Sequence, residues 1–256
     1  MPDMGTKKKI VQVEGGEAPS EAAREARPFV PTPESKGKAR RLRLFAILAW
    51  IVAIGFEIGA IVLLGKPPVN TTLLIVLIAA DLVFAVIGSM LWKKANRLDP
   101  ASVKDKVRFF VQNQLGAIIG IIAFLPLVLL ILTNKDMDKK QKGLVGAVAV
   151  VAMIIASIAG IDFNPPSQEQ YAEQTAHVEA LTGQNYVFWT KSGTKYHLFS
   201  DCYHINTNRT EEIYSGTVGQ ARELKNITDL CNTCETRYKK EKGLATEKLP
   251  GGQDNK

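Results

Sequence analysis

The sequence of 256 residues has only three cysteines and three histidines. The cysteines all lie near the C-terminus, at Cys202, Cys231 and Cys234. Because three is an odd number, a fold held only by disulfides within the chain would leave one thiol without a partner. The histidines lie in the same part of the chain, between 177 and 204. Any site built from thiolates and imidazoles is therefore confined to this C-terminal tail.

Lysine and arginine are missing from the interior of four long apolar runs. Each run is close to the roughly 20 residues that a helix needs to cross about 30 Å of hydrocarbon. A soluble bundle is not expected, because four such helices would leave little polar surface. We therefore predict four transmembrane helices, over residues 44–64, 72–92, 115–132 and 144–161.

Small residues recur four positions apart within these runs. In lipid, such pairs allow two helix backbones to approach closely and mark faces where helices pack together. The pattern predicts a compact bundle. The four pairs are Gly55 with Gly59, Gly116 with Gly120, Gly143 with Ala147, and Ala156 with Gly160.

The positive charge of the chain lies beside the membrane rather than on the tail. Residues 1–43 carry 10 Lys/Arg against 6 Asp/Glu, whereas residues 161–256 carry 11 Lys/Arg against 13 Asp/Glu. A tail with this balance argues against nucleic acid as its partner, because a nucleic-acid surface is basic. The basic segment is instead suited to contact with anionic lipid headgroups.

The distribution of loop charges predicts the orientation. The N-terminal segment and the loop over 93–114 are the most basic, so both are expected in the cytoplasm. With four full spans the tail is also cytoplasmic. The loop after the third run carries four lysines, although alternation places it outside. A re-entrant third run, with the tail outside, is the alternative.

Composition divides the chain into five parts. The first segment is rich in Glu, Ala, Pro, Lys and Gly and poor in aromatics, so we expect it to be disordered. The C-terminal end is expected to be disordered as well. The predicted parts are a disordered basic N-terminus at 1–41, the transmembrane region at 42–161, a linker at 162–185, a small metal-binding domain at 186–242, and a disordered end at 243–256.

Two acidic residues interrupt the apolar runs, Glu57 in the first and Asp81 in the second. Counted from the outer ends of their helices, they lie at similar depths in the membrane. Two carboxyl groups on adjacent helices can share a proton, because ionising both together is costly. One interpretation is a proton or cation site. The other is a neutral pair, or an acid near a headgroup, that only fixes helix packing.

The tail has the ligand spacing of a metal site. Cys231 and Cys234 form a Cys-x2-Cys pair, and Cys202 supplies a third thiol. Tetrahedral zinc takes four nitrogen or sulfur ligands. His197 and His204 both lie close enough in sequence to be the fourth. His197 is favoured because it ends a predicted hairpin, formed by two strand-like segments on either side of Ser192 and Gly193, where it can face the cysteine pair.

The residues over about 186–238 resemble a known family. The pattern is aromatic-x-Thr-x-Ser-Gly-x-x-Tyr-His-x4-Cys, followed by a helix and Cys-x2-Cys. It is similar to small metal-binding modules related to the N-terminal domain of the bacterial Ada repair protein. The resemblance implies zinc bound by His197, Cys202, Cys231 and Cys234. Ada itself uses four cysteines, one of which accepts a methyl group, whereas one ligand position here is His.

The sequence therefore predicts a membrane bundle of four α-helices with a small α+β zinc-binding tail. The membrane part resembles bacterial multispan membrane proteins of unassigned function, so a bacterial plasma membrane is the expected location. We expect a non-enzymatic protein whose tail serves interaction or sensing. The expected partners are the lipid bilayer, a protein bound by the tail, and further copies of the chain. The alternatives are ion- or proton-coupled transport through Glu57 and Asp81, and thiol chemistry or methyl acceptance at Cys202.

Overall fold

A computed structural model describes residues 9–13, 29–225 and 227–243 of the chain. The chain forms two compact units. One unit spans residues 30–168 and contains four long helices. The other combines the described N-terminal residues up to 29 with the tail from residue 169 onward.

The first unit confirms the four predicted transmembrane helices. All four are long and apolar enough to cross a membrane. Large aliphatic side chains, such as those of Ile51, Val83 and Ile122, are exposed on their outer faces, as expected for contact with lipid. The helices are α1 (Pro33–Leu64), α2 (Thr71–Leu98), α3 (Lys106–Thr133) and α4 (Lys139–Gly160).

The third apolar run forms one continuous helix. α3 is a continuous helix of 28 residues, although it contains Pro126. At 1.5 Å per residue it is about 42 Å long, which exceeds the thickness of the hydrocarbon layer. The third run is therefore long enough to cross the membrane and does not turn back within it.

Each of the four helices begins at a capping side chain. The oxygen of the cap accepts a hydrogen bond from a backbone N–H in the first turn, which otherwise has no partner within the helix. In α4 the cap is reciprocal, because Gln141 also accepts from the N–H of Asp138 at 3.4 Å. The caps are Thr32, Asn70, Asp105 and Asp138, with donor–acceptor distances of 3.1, 3.0, 3.0 and 2.8 Å.

α3 and α4 pack through two of the predicted pairs of small residues. A Cβ atom added at Gly160 would overlap the backbone of Gly116 and Ala117. A Cβ at Gly120 would lie 3.1 Å from the backbone of Ala156. In contrast, Gly55 and Gly143 have open space around them. Two of the four pairs thus form the α3–α4 interface, while Gly55 and Gly143 face no neighbouring helix.

A group of polar side chains lies at the end of the bundle where α2 ends and α3 begins. The Arg43 guanidinium donates to the Asp99 carboxylate at 2.7 Å and to the Asp99 carbonyl at 3.0 Å. The Trp92 indole and the Asn96 amide both donate to the Gln112 carbonyl, at 2.7 and 2.6 Å. Gln112 in turn donates to the Asp99 carbonyl at 2.9 Å. We call these five residues the polar belt.

The second unit is α+β. Its three-stranded sheet has the order β1-β4-β2, with β1 parallel and β2 antiparallel to β4. β3 and β5 form a separate parallel pair. The elements are β1 (Lys9–Gln12), α5 (Gln168–Thr182), β2 (Val187–Trp189), β3 (Lys195–Tyr196), β4 (Glu212–Gly216), α6 (Val218–Lys225), β5 (Asp229–Leu230) and α7 (Asn232–Glu241).

The core of this unit is small and aromatic. Trp189 and Tyr196 are almost completely buried, and the Trp189 ring stacks on Tyr214 with ring centroids 6.3 Å apart. Val187, Val218 and other aliphatic residues surround them. A second apolar cluster contains the three cysteines together with Ile205 and Ile213.

The structure differs from two of the predicted boundaries. The segment predicted to be disordered at 1–41 contains β1, because the β-branched Ile10 and Val11 pair with Ile213 and Tyr214 of β4. It also contains the start of α1, because the Thr32 cap and Pro33 begin the helix well before the apolar run. The remaining residues of that segment, 1–8 and 14–28, lie outside the described residues.

Near the C-terminus the differences are smaller. The linker predicted at 162–185 contains α5, whose Tyr171 and Val178 are buried in the second unit. Of the predicted disordered end, residues 244–256 lie outside the described residues. The predicted hairpin is present, since Phe188 and His197 exchange two backbone hydrogen bonds of 2.7 Å.

The pairing of β1 with β4 constrains the topology. Strands can pair only if both lie on the same side of the membrane. β1 precedes all four membrane helices and β4 follows them. The chain must therefore cross the membrane an even number of times between the two strands, in agreement with four crossings.

The close contact of α3 and α4 leads to a testable prediction. Replacing Gly160 with Ala should destabilise the bundle by about 1–3 kcal/mol, because the added methyl group overlaps the backbone of α3 and forces the helices apart. The measurement is the unfolding midpoint of the full-length protein in detergent. Gly143→Ala, in the same helix but facing open space, is the matched control and should not be destabilised. Equal midpoints for the two variants would contradict the packing described here.

Candidate metal centre

The structure brings together the four residues that the sequence predicted as metal ligands, His197, Cys202, Cys231 and Cys234. Each of them offers one ligand atom, and these four atoms all lie within 4.8 Å of one another. All four residues are at most 4% exposed. They could therefore hold a metal ion shielded from solvent.

Three separate parts of the tail supply the ligands. His197 follows β3 and is held by its backbone hydrogen bonds to Phe188 of β2. Cys202 lies in the turns that follow, where its carbonyl accepts from the N–H of Ile205 at 3.0 Å. Cys231 is the cap of α7, and Cys234 lies in the first turn of that helix. The three-residue spacing of this pair places both thiols on one side of the helix start.

The geometry fits a tetrahedral site. The Nδ1 atom of His197 lies 3.6 Å from the Sγ atom of Cys234. In a tetrahedral zinc site with Zn–S of about 2.3 Å and Zn–N of about 2.0–2.1 Å, nitrogen and sulfur are separated by about 3.6 Å. The two ligands thus already have the spacing that a shared ion requires. His197, rather than His204, occupies the fourth position.

His204 lies next to this group without joining it. Its ring centroid is 6.3 Å from that of His197. Its Nε2 atom is 3.3 Å from the Thr233 hydroxyl, between the two cysteines of the pair. The Tyr203 ring packs against it with centroids 4.0 Å apart. His204 therefore contacts the turn that carries the ligands rather than serving as one.

Burial shifts the pKa values of three of these four residues. It raises the pKa of the Cys234 thiol to about 12 and also raises the pKa of Cys202. Burial is the main cause that lowers the pKa of His197 to about 4, and the nearby His204 and Lys195 also contribute. At neutral pH the imidazole is thus uncharged and can bind a metal directly. The thiols carry protons that a metal has to displace.

Arg237 connects α7 to the segment before Cys202. Its guanidinium donates to the Asp201 carboxylate at 2.8 Å and lies 4.1 Å from the centre of the Phe199 ring. These contacts are partly exposed, so each contributes little by itself. Together they hold the ligand-bearing turn against the helix that carries Cys234.

The burial of Arg222 was not predicted from the sequence. Arg222 of α6 is fully buried, and its guanidinium lies 4.2 Å from the centre of the Tyr171 ring of α5. Desolvation lowers the pKa of this guanidinium to about 10. Arg222 follows the buried Val218 by four residues and shares its helix face, which is the signal that could have placed it inside.

A polar pocket of about 540 Å³ lies beside the ligands. Two ligands, His197 and Cys231, contribute to its wall. Most of the other lining residues offer hydroxyl, amide or basic groups, and none of them carries a carboxylate. They include Thr190, Ser192, Thr194, Lys195, His204 and Thr233. The pocket gives a bound molecule access to the surface next to the metal centre.

Comparison with known proteins does not assign this chain. No family model matches it, and neither a curated protein nor a solved structure is significantly similar to it. The resemblance to Ada-type modules stays a prediction that rests on the spacing of residues in the tail.

The two histidines lead to a prediction about metal content. His197→Ala should reduce the metal bound by the full-length protein, because a buried ligand is lost. His204→Ala is the matched control and should retain the wild-type content, because that ring lies outside the ligand group. Elemental analysis of the proteins purified in detergent gives the ratio of metal to protein. An equal loss from both variants, or a loss from His204→Ala alone, would contradict the ligand assignment.

The protonation of the ligands predicts how metal affinity depends on pH. Protons bind to the metal-free site, so acid should favour release. Above about pH 4 the His197 imidazole is neutral, and the competing protons are those of the thiols. The apparent affinity should fall by up to about three orders of magnitude per pH unit below neutrality, one for each thiol that regains a proton. Titration against a chromophoric chelator measures it, and an affinity independent of pH would rule out thiolate ligands.

Proposed function

We propose that this chain is a non-enzymatic integral membrane protein whose tail is an interaction or sensing module stabilised by structural zinc. The observation that carries the proposal is the buried group of His197 and three cysteines, whose ligand atoms lie within 4.8 Å of one another. The four apolar helices tether the chain that carries this module to a membrane.

Zinc is the metal that best suits the ligand set. Thiolates and imidazole are soft or borderline ligands, whereas calcium and magnesium prefer oxygen. Four such ligands brought together by the fold are typical of structural zinc sites, which are tetrahedral. Three thiolates and one zinc ion carry a net charge of −1, which Lys195 and His204 beside the site can offset.

The closed ligand set supports a structural rather than a catalytic role. A catalytic zinc keeps one position open for water or substrate and has a general base nearby. Here four protein residues can supply all four ligands of such an ion. Of the acidic residues near the site in sequence, Glu212 is bound to Lys9 at 3.2 Å and to the Tyr214 hydroxyl at 3.2 Å. It is not free to act as a base.

The size of the tail explains why a metal is needed. Its core consists of few large aliphatic side chains around Trp189 and Tyr196. Small domains of this kind rarely gain enough stability from burial alone. A metal bound by the β2–β3 hairpin, the Cys202 turn and α7 would join these three segments at one point, and its binding energy would become folding energy.

We further propose that the tail faces the cytoplasm. The most basic loop segments lie on the side of the N-terminus, which is the cytoplasmic side for most membrane proteins. β1 and β4 pair, so the tail shares that side. Free thiols are kept reduced in the cytoplasm, which preserves them as metal ligands. The polar pocket beside His197 then presents hydroxyl and basic groups to a cytoplasmic partner.

The native cysteines allow one experiment to test both the metal and the side of the membrane. Because all three cysteines lie in the tail, a membrane-impermeant maleimide reports on the tail alone. We expect no labelling in right-side-out vesicles. In inverted vesicles, we expect labelling only after a chelator removes the metal. Mass spectrometry counts the modified thiols.

The possible results separate the two parts of the proposal. Labelling of right-side-out vesicles after chelation would place the tail outside and leave the zinc assignment intact. Rapid labelling before chelation in inverted vesicles would contradict a metal-protected site. If only Cys202 reacted before chelation, the result would support thiol chemistry or methyl acceptance at that residue instead.

A further inference from the structure

The membrane bundle contains two buried acidic residues that the metal centre does not involve. Glu57 of α1 is 7% exposed and Asp81 of α2 is fully buried. Across α1 and α2 the Phe56 ring stacks on Phe84 with centroids 5.7 Å apart, and a Cβ at Gly59 would lie 3.9 Å from Leu77, so the two acids lie at the same level of this helix pair. Both lie on the buried faces by which their helices pack into the bundle.

No basic group neutralises this pair. Neither carboxyl oxygen of Asp81 has a hydrogen-bond partner among the described residues. In the sequence, α3 from Phe109 onward and α4 from Gly143 onward contain no ionisable side chain. Glu57 and Asp81 are also the only ionisable residues of α1 after Arg43 and of α2 before Lys93. A carboxylate buried without a partner in hydrocarbon is strongly disfavoured, so the pair requires a positive charge from outside the protein.

The surroundings favour a proton over a metal cation. Hard cations bound by proteins take about six oxygen ligands. The buried side chains within one helical turn of the two acids are apolar and offer none. They are Ala53, Ala60, Ile78 and Ala85. Two carboxyl groups alone cannot complete such a coordination shell, whereas a single proton neutralises one carboxylate and lets it donate to the other.

We propose that Glu57 and Asp81 form a proton-binding site within the membrane, reached from the end of the bundle that carries the polar belt. Binding transfers one proton from water to a carboxylate oxygen and removes one negative charge. Release reverses the step. This site goes beyond the proposed role of the tail and does not depend on it.

The buried side chains toward the start of α2 differ from those toward its end. This difference determines from which end of the bundle a proton can reach Asp81. Toward the start of α2, large side chains that are fully buried surround the helix and separate Asp81 from water. They are Leu74, Ile78, Leu127 and Ile131. None of these four side chains offers a polar group through which a proton could pass.

Toward the end of α2, most of the buried residues are small or polar, and the Trp50 ring of α1 packs against Gly88. Ala85 and Ser89 follow Asp81 at intervals of one turn, and Asn96 follows two turns after Ser89. A Cβ added at Gly116 of α3 would lie 2.9 Å from the Ser89 hydroxyl, so the space around this hydroxyl is bounded by glycine. The Asn96 side-chain oxygen is buried and accepts no hydrogen bond within the described part of the chain. These groups lie along α2 between Asp81 and the polar belt.

A hydrophobic carbodiimide tests the site, because it reacts with protonated carboxyl groups in apolar surroundings and forms a stable acylurea. The reagent is N,N′-dicyclohexylcarbodiimide, applied to full-length protein in membrane vesicles. We expect one adduct per chain, located by peptide mass spectrometry at Asp81 or Glu57. Asp81→Asn should abolish or strongly reduce it. Asp136→Asn removes an exposed loop acid and is the matched control, which should label like the wild type.

Folding of the variant is checked separately. Asn keeps the size and a hydrogen-bond donor of protonated Asp, so the thermal midpoint of Asp81→Asn should equal or exceed that of the wild type. An unlabelled wild type, or wild-type labelling of Asp81→Asn and Glu57→Gln alike, would overturn the proposal. A large loss of stability in Asp81→Asn would overturn it in favour of a purely structural pair.

The direction of access is tested by varying the pH on one side of the vesicle at a time. Labelling should fall as the pH rises on the side of the polar belt and should not respond to the other side. The side is identified in the same vesicles by maleimide labelling of the tail after chelation, because the tail and the N-terminal end of α1 share one side. A response to both sides, or to the opposite side, would overturn one-sided access. Neither result bears on the zinc site.

Discussion

The membrane bundle depends on one physical constraint: hydrocarbon offers no hydrogen bonds. Within α1–α4 the backbone groups bond to each other, and the N–H groups freed at each helix start are taken up by a capping side chain. Polar side chains collect where water is near, in the polar belt around Asp99. Interior packing then depends largely on shape, which is why Gly160 and Gly116 allow two backbones to touch. Glu57 and Asp81 are buried acids in this interior, and acids of this kind in a membrane point to function.

The stability of the tail is limited by a different factor. Water can hydrogen-bond its polar groups, but the apolar surface that it buries is small for its size. The Cys-x2-Cys pair at the start of α7 and the histidine at the end of β3 bring distant parts of the tail to a single point. The surrounding residues serve this arrangement: Arg237 holds the Cys202 turn, and Arg222 packs on Tyr171 between two helices. The candidate metal centre thus lies among several side-chain contacts that are all made within the tail unit.

The sequence was sufficient wherever a pattern is local. Apolar length defined the four helices, and Cys-x2-Cys with His197 at a hairpin end indicated the ligand group. It was not sufficient where a contact depends on residues far apart in the chain. Charge and composition indicated disorder before residue 42, yet Ile10 and Val11 pair with a strand some 200 residues later. The burial of Arg222 and the open space around Gly55 likewise depend on tertiary packing that no short pattern records.

The pairing of β1 with β4 also sets an order of events during synthesis. Lys9 and its partner Glu212 are separated by 203 positions. β1 leaves the ribosome first and has no partner until all four helices and most of the tail have been made. The sheet can therefore close only after the last helix has been inserted, which makes it one of the last contacts to form. A chain that stalls or inserts one helix too few leaves the two strands on opposite sides, so a completed sheet marks a correctly inserted protein.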